Sequence, residues 1–526
     1  MLFSTAAAAA AAVLLLASSC LAPPASSADP WIPPAPDSPD LLPFLRNTSM
    51  PKLAYSTWVG WYMDGGLNET SLFAQVEAMA TTLRPHGWTH VLHDYGWQVC
   101  GTTYAVKEGC IRVDANGRLY PSWERYPSTK PPSGGPDVTG TWKPFTDRVH
   151  AKGIAYGLHL MHGIPKLAVA DKLPILDVST GANSPYTADM IVLQPLCQTF
   201  IPDHWAINAS HPGAQLYYDS VVKKWADEGI DFIYLDGVNG PCGCPSIGLI
   251  SDALQRLGNG MHLFISAGPP TGSCPFDSLS AAAPYVRVGS DTVDSWEGSV
   301  KNGFSQYTRL TAPSVRPHHF GDLASLMVGN VHCGGGASAC AKKGAATAPG
   351  PDYVIPSAHS AMTLDEVYSY ASMVAIFRST WWPSGVLSDM TALQRKMLTN
   401  DAVIRVTMAG AKPRQVIDAA SKSFAGPGIV WTSSDDDDKA EGEDGADGAE
   451  EGAKQYVLLV NLADNATLTV GVAFEELGIP HAHSCDVLEL WNSSKIERAS
   501  GTLEAKLRPH ACLLAALTNC GPTARY

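Results

Sequence analysis

Six short runs along the first four fifths of the chain are almost continuously apolar: Leu53–Gly60, His90–Gly96, Ala155–Gly163, Phe232–Val238, His262–Gly268 and Tyr285–Ser290. They do not alternate between apolar and polar, which is the pattern of strands buried on both faces of a parallel sheet. Between them, apolar residues recur at helical spacing. Leu72, Val76, Met79 and Leu83 form one stripe, with Thr70 and Ser71 as candidate caps and Pro85 beyond. Phe145 and Val149 lead into Lys152-Gly153, a basic last turn followed by a glycine stop. A third helix starts at Ser210, with Pro212 in its first turn and Leu216, Val221, Val222 and Trp225 on its faces. Ile247, Ile250, Leu254 and Leu257 make a fourth, ending at Gly258. Strand alternating with helix over this length predicts an α/β fold, a (β/α)8 barrel.

The rhythm changes after Ala411. Short alternating runs at Gln415–Ile417, Gly428–Trp431, Gln455–Leu462, Ala466–Val470, Ser484–Leu490 and Ala511–Leu517 predict a C-terminal antiparallel β-sandwich. Between two of them, residues 433–454 contain no aromatic or branched apolar side chain. Such a segment has nothing to bury, so a solvated loop is expected. Ala6–Leu16 is a short apolar run followed by small residues, with Ser26 and Ala28 at the positions a signal peptidase requires. The expected organisation is a leader over 1–28, a barrel over 29–411 and a sandwich over 412–526.

Charge and cysteine usage sharpen this picture. The net charge of −14 argues against nucleic acid and against anionic membrane as partners, and the stretch from Asp435 to Lys454 alone supplies −8 of it. No segment beyond the leader reaches the ~18 unbroken apolar residues of a membrane anchor. Sequons at Asn47, Asn68, Asn208, Asn465 and Asn492 fit passage through the secretory pathway, to the cell exterior or an acidic vacuole. Of twelve cysteines, Cys20 lies in the leader and eleven remain, so at least one thiol is unpaired within the chain. Cys100 with Cys110, and Cys333 with Cys340, are close enough to bridge short loops. Cys242-Gly-Cys244 lacks partners at zinc spacing, which favours disulfides over metal in an oxidising compartment. No motif calls for a cofactor, and the oligomeric state is left open.

A barrel of this kind builds its active site at the C-terminal ends of the strands. Those ends carry Asp94 and Tyr95 after strand two, His159 and His162 on strand three, Asp236 on strand four, Ser266 on strand five, and Arg287 and Asp291 on strand six. Two carboxylates on one rim, among tryptophans and tyrosines, suit glycoside hydrolysis, in which an Asp/Glu pair flanks an oxocarbenium-like transition state. Each has a structural alternative. Asp236-Gly237 is a turn signal. Asp291 or Asp294 would cap a helix starting near Ser295. His93, His159 and His162 point to a metal-dependent hydrolase, yet strand one lacks a His-x-His.

The segments VGWYMDGGLNE, HDYGW, GLHLMHGI, GIDFIYLDG and VRVGSDTVDSW follow the order of motifs in glycoside hydrolase family 27, the α-galactosidase or melibiase family. That family shows Gly-Trp on strand one, Asp-Asp-x-Trp after strand two, Lys-x-Asp on strand four and Arg-x-x-x-Asp-x-x-Asp-Ser-Trp on strand six. Arg287, Asp291, Asp294, Ser295 and Trp296 match the last pattern in full, and MTLDEVYSYASMVAIFRSTWW resembles the segment entering strand eight. Within the family the chain is most similar to plant β-L-arabinopyranosidase-like members, which also carry Asp-Tyr after strand two and a small-residue turn after strand five.

The resemblance implies a retaining exo-glycosidase with its carboxyl groups ~5–5.5 Å apart. Asp236 would be the nucleophile and Asp291 the general acid and base. Arg287 would hold a sugar hydroxyl, Asp94 would hold those at C4 or C6, and Trp58, Trp61 and Trp97 would offer apolar walls. The substrate would be a carbohydrate with a terminal α-D-galactopyranosyl or stereochemically equivalent β-L-arabinopyranosyl residue. Three departures stand out: Tyr95 replaces the second aspartate, Tyr234 replaces the lysine before the nucleophile, and Ser266-Ala267-Gly268 replaces the determinant after strand five. They leave galactose specificity open, and with it a second class, a catalytically weak carbohydrate-binding member of the same fold.

Overall fold

The computed structural model describes residues 30–58, 67–101, 110–131, 139–199, 203–268, 274–292, 294–301, 303, 319–326, 328, 362–383, 385–417, 427–435 and 454–522. The leader over 1–28, Trp61, the Cys333/Cys340 pair and most of the acidic insert lie outside these residues.

All six predicted barrel strands form, and a seventh joins them: β1 Ala54–Ser56, β2 His90–His93, β3 Ala155–Met161, β4 Phe232–Asp236, β5 His262–Ser266, β6 Tyr285–Arg287 and β7 Phe320–Asp322. They pair in sequence order and in parallel throughout. The ring is closed by the segment around Trp381–Pro383, which bridges Leu53 on one side and Leu326 on the other. Trp381 donates its amide to the Lys52 carbonyl (3.0 Å) and accepts from Ala54 N (3.0 Å). Phe232, Tyr234, Phe264, Tyr285, Phe320 and Trp382 fill the interior with interlocked rings, Phe264 stacking on Tyr285 at 4.2 Å. The barrel is therefore a packed core, with reactive groups confined to its rims.

The helical stripes form where the spacing places them, but two caps differ from expectation. Helix α1, Glu69–Ala78, is capped by Asn68, whose side chain accepts from Ser71 N while Ser71 Oγ accepts from Asn68 N. Ser71 thus serves the capping box from inside the helix instead of starting it. Helix α2 spans Lys143–His150. Helix α3, Pro212–Asp227, begins after His211, whose Nδ1 accepts from Gly213 N (3.1 Å) and takes the role expected of Ser210. Helix α4, Cys244–Leu257, ends at Gly258 as predicted.

The second sheet begins at Gly410. Its strands are β8 Gly410–Ile417, β9 Gly428–Asp435, β10 Gln455–Asn461, β11 Leu468–Ala473, β12 His483–Glu489, β13 Ser494–Ser500, β14 Thr502–Leu507 and β15 Cys512–Pro522. Six pair antiparallel in the order β8-β9-β10-β15-β12-β13, and β11 pairs with β14 to cover them. Val430, Val457, Leu459, Val470, Val472, Leu503 and Leu513 close the space between the layers. The sequence pattern missed β13 and β14, because SKIERAS and TLEAKL carry charged residues on their open faces and short apolar content. Barrel and sandwich share one continuous apolar core. Across it Phe377 meets Trp431 at 4.4 Å, Trp491 donates to Ser372 Oγ (2.8 Å), and Trp296 stacks on His510 at 4.1 Å. The tryptophan of the strand-six motif is thus an interdomain contact.

Candidate active site

Disulfides fix the loops above the strand ends. Cys100–Cys110 closes the loop after β2, Cys197–Cys242 ties the long β3–β4 connection to the loop after β4, and Cys244–Cys274 ties the start of α4 to the loop after β5. Cys242 and Cys244 therefore belong to separate bridges. Cys485–Cys520 crosses the sandwich, and Cys512 is the free thiol among the described residues.

Asp236 ends β4, where Gly237 follows at φ +76°, a left-handed turn suited to glycine. Asp236 Oδ1 accepts from Gly237 N at 2.7 Å and Oδ2 faces His159 Nε2 at 3.1 Å. The Asp-Gly turn and the paired carboxylate are thus the same structure. Burial opposes ionisation of Asp236. The His159 bond and charge, the Arg287 charge and the Gly237 amide outweigh it and hold the carboxyl at about 2. Arg287, at the end of β6, is half-buried, and its guanidinium donates through Nη1 to Asp291 Oδ1. Burial disfavours its charge, but Tyr234, Asp291, Asp236 and Asp322 around it raise its pKa. Asp291 itself is 60% exposed and open to a ligand above the rim.

Asp94 is buried beside this pair, with its amide donating to Thr57 Oγ1 (3.0 Å) and its Oδ1 accepting from Tyr95 N (2.7 Å). Burial raises its pKa, against the pull of His159 and the Tyr95 amide. Tyr95 is also buried. Its ring meets His159 edge-on at 5.6 Å and its hydroxyl donates to Asp203 Oδ2. Asp203 comes from the β3–β4 connection and also holds His204 Nδ1 at 2.6 Å. Tyr234 points into the barrel, stacked with Phe264 and edge-on to Trp382, and Ser266 lies buried opposite Asp236 in the β4–β5 register.

One expectation is corrected, and two of the alternatives meet other contacts. Trp97 is no sugar wall: it is 1% exposed, donates to the His159 carbonyl (3.1 Å) and packs edge-on against Trp142 and Trp225. His93 does not join a metal set, since Tyr156 and Tyr126 hydroxyls occupy both its nitrogens (2.7 and 2.9 Å). Asp291 is bound to Arg287, which gives its carboxylate a partner other than a helix end. Among the described residues no group of three or more His, Cys, Asp or Glu is arranged to hold a metal ion.

Three roles at this rim were not read from the sequence: His159 as a partner of Asp236, and the places of Asp203 and of Asp322 on β7. Burial pushes Asp322 up to about 6, against the Ala324 amide, the Trp382 indole and Arg287. His159 was visible as a polar residue at a strand end. Asp203 lies in an aperiodic connection, and β7 is a three-residue strand too short to register as an apolar run.

Comparison with known proteins gives the same architecture. Residues 446–517 match the model of the alpha galactosidase C-terminal beta sandwich domain. No curated protein sequence matches the chain. The structure is similar to a family 27 β-L-arabinopyranosidase from Geobacillus stearothermophilus, with a TM-score of 0.73 and 24% identity over 89% of this chain and 96% of that one. A variant of that enzyme in complex with arabinose gives 0.73 and 25% over 90% and 98%. Alpha-galactosidase I from Mortierella vinacea gives 0.59 and 15% over 91% and 99%. Carrying the C-terminal domain of the α-galactosidases behind a barrel with two carboxylates on its rim, the chain has the two-domain fold of the glycoside hydrolase family 27 enzymes.

Proposed function

We propose that the protein is a retaining exo-glycosidase that releases terminal β-L-arabinopyranosyl or α-D-galactopyranosyl residues from glycans or glycoconjugates. The observation that supports it best is the rim itself. Asp236 is held ionised by His159 and Arg287, and the same arginine also grips the exposed Asp291. An ionised, oriented carboxylate is what attack on an anomeric carbon requires, and a more exposed carboxyl group is free to exchange protons with a leaving oxygen and then with water. In the first step the Asp236 carboxylate forms the glycosyl ester while Asp291 gives its proton to the departing oxygen. In the second, Asp291 takes a proton from water, water attacks the anomeric carbon, and Asp236 leaves as carboxylate.

Substrate choice rests on Tyr95. The two sugars present the same ring hydroxyls and differ by the hydroxymethyl group at C5. A tyrosine adds a bulky ring where a carboxylate would accept, and its hydroxyl is already committed to Asp203. A C6 hydroxyl buried there without a partner would cost about 1–3 kcal/mol, or about tenfold to over a hundredfold in specificity. β-L-Arabinopyranosides are therefore the preferred class. Secretion is the proposed route, in keeping with four disulfides among the described residues and with exposed sequons at Asn68, Asn465 and Asn492.

A panel of p-nitrophenyl glycosides assayed from pH 4 to 7 tests both claims. The arabinopyranoside should be cleaved with the higher kcat/KM, and Tyr95→Asp should move the ratio toward galactose. An unchanged ratio would remove Tyr95 from the pocket. Binding without turnover on every substrate would leave a sugar-binding protein.

A further inference from the structure

The imidazole of His159 sits where three separate segments bring carboxylates together. Asp236 on β4 lies 3.1 Å from Nε2, Asp94 comes from the loop after β2, and Asp203 comes from the β3–β4 connection. The Tyr95 ring closes the remaining side at 5.6 Å. His159 is buried, with 3% exposure, and its Nδ1 is buried with no hydrogen-bond partner. In the neutral ring the proton therefore sits on Nε2, facing Asp236, and protonation adds a charge without changing that bond. Asp236 has few other supports, Arg287 and the Gly237 amide, and the nearby Asp94 repels its charge. Tyr234 supplies no cation, and the nearby His162 is held largely neutral by burial and His204.

We infer that His159 is the positioning residue of the site, a buried cation on strand three that orients Asp236 and keeps it ionised in acidic surroundings. The inference rests on the reading of Asp236 as nucleophile. Burial works against charge on His159, but Asp94, Asp236 and Asp203 together raise its pKa, so the imidazolium prevails over the acidic range. Its charge also stabilises Asp236 as the departing carboxylate of the second step. Without it, burial would act on Asp236 with only Arg287 and one amide in opposition.

The test is the acid limb of kcat/KM for the full-length protein and three variants, each checked for folding by circular dichroism after return to neutral pH. His159→Phe keeps a ring but neither bond nor charge, His159→Gln keeps a donor at the Nε2 position, and His159→Lys keeps a charge. The limb should move up by about 1–3 pH units in the phenylalanine variant, less in the glutamine variant, and return toward wild type in the lysine variant. A loss of packing alone would lower activity at every pH and leave the limb in place, which would overturn the inference. If His159→Phe does not fold, an unmoved limb in His159→Gln overturns it equally. Labelling of the wild type with a slow fluorinated glycoside bearing an activated leaving group, followed by peptide mapping, separates the two levels. Label on Asp236 with an unmoved limb defeats the role of His159, whereas label elsewhere defeats the nucleophile assignment beneath it.

Discussion

The two ends of the same barrel treat histidine in opposite ways. At the C-terminal rim His159 is surrounded by Asp94, Asp203 and Asp236, and its pKa is raised. At the N-terminal end His90 and His262 start β2 and β5 with their rings 5.5 Å apart, and His262 stacks on Phe232. Lys52 is buried nearby and donates to the carbonyls of Leu45 and Asn47. Among the described residues no carboxylate is set against this group in compensation. Burial, then Lys52 and the neighbouring basic groups, drive both imidazoles well below their ordinary pKa, and burial takes Lys52 down to about 7. Burial alone therefore does not mark a functional site. A buried base with convergent carboxylates is charged and oriented for chemistry, whereas one among aromatic rings is neutral filler.

The largest expected effect that would break this contrast lies at the rim. Asp291→Ala should lower kcat/KM by about 10²–10⁴-fold on substrates with poor leaving groups. It should spare substrates such as dinitrophenyl glycosides, and azide should restore turnover with retained configuration. A uniform loss across leaving groups would deny Asp291 its proton-transfer role.

Stability against pH sharpens the contrast from the other end. For His90 and His262 the folded pKa lies below the unfolded one. Above about pH 6.5 both states are neutral, and below it only the unfolded chain takes the proton, so stability falls as pH falls. Each contributes a loss of about 1.4 kcal/mol per pH unit below that point. His159 has the opposite sign: its raised pKa adds stability that is fully present below the unfolded value and is lost as pH rises through the folded one. His262→Phe should therefore flatten the fall in melting temperature between pH 7.5 and 5 by several degrees and leave kcat unchanged. His159→Phe should steepen it. Parallel shifts in the two variants would erase the distinction.

The smallest effect concerns the acidic insert. Asp435 N donates to the Lys454 carbonyl at 2.9 Å, so the ends of the segment are already neighbours across β9 and β10. Replacing residues 436–453 by a short glycine turn should leave melting temperature and kcat unchanged, because a sequence without aromatic or branched apolar side chains has little to pack. A clear drop in either would mean that the segment docks.

How much of this was legible depended on periodicity. Continuous apolar runs announced six barrel strands, and the strand ends located Asp94, Asp236, Arg287 and Asp291, because a parallel barrel puts its chemistry there. Asp203 was invisible, since nothing in an aperiodic connection of this length predicts which residue will meet Tyr95. Strand β7 was too short to show a period, and β14 reads TLEAKL, where one face packs and the other is charged. Trp97 misled through residue type alone: large rings are as useful to a core as to a sugar.

The central claim is that Asp236 is the nucleophile, and Asp236→Ala assayed with sodium azide tests it most directly. The variant should lose nearly all turnover of the p-nitrophenyl arabinopyranoside, and azide should restore it, entering the vacated space to give a glycosyl azide of inverted configuration by NMR. Hydrolysis at the wild-type rate, or a glycosyl azide of retained configuration, would contradict the account.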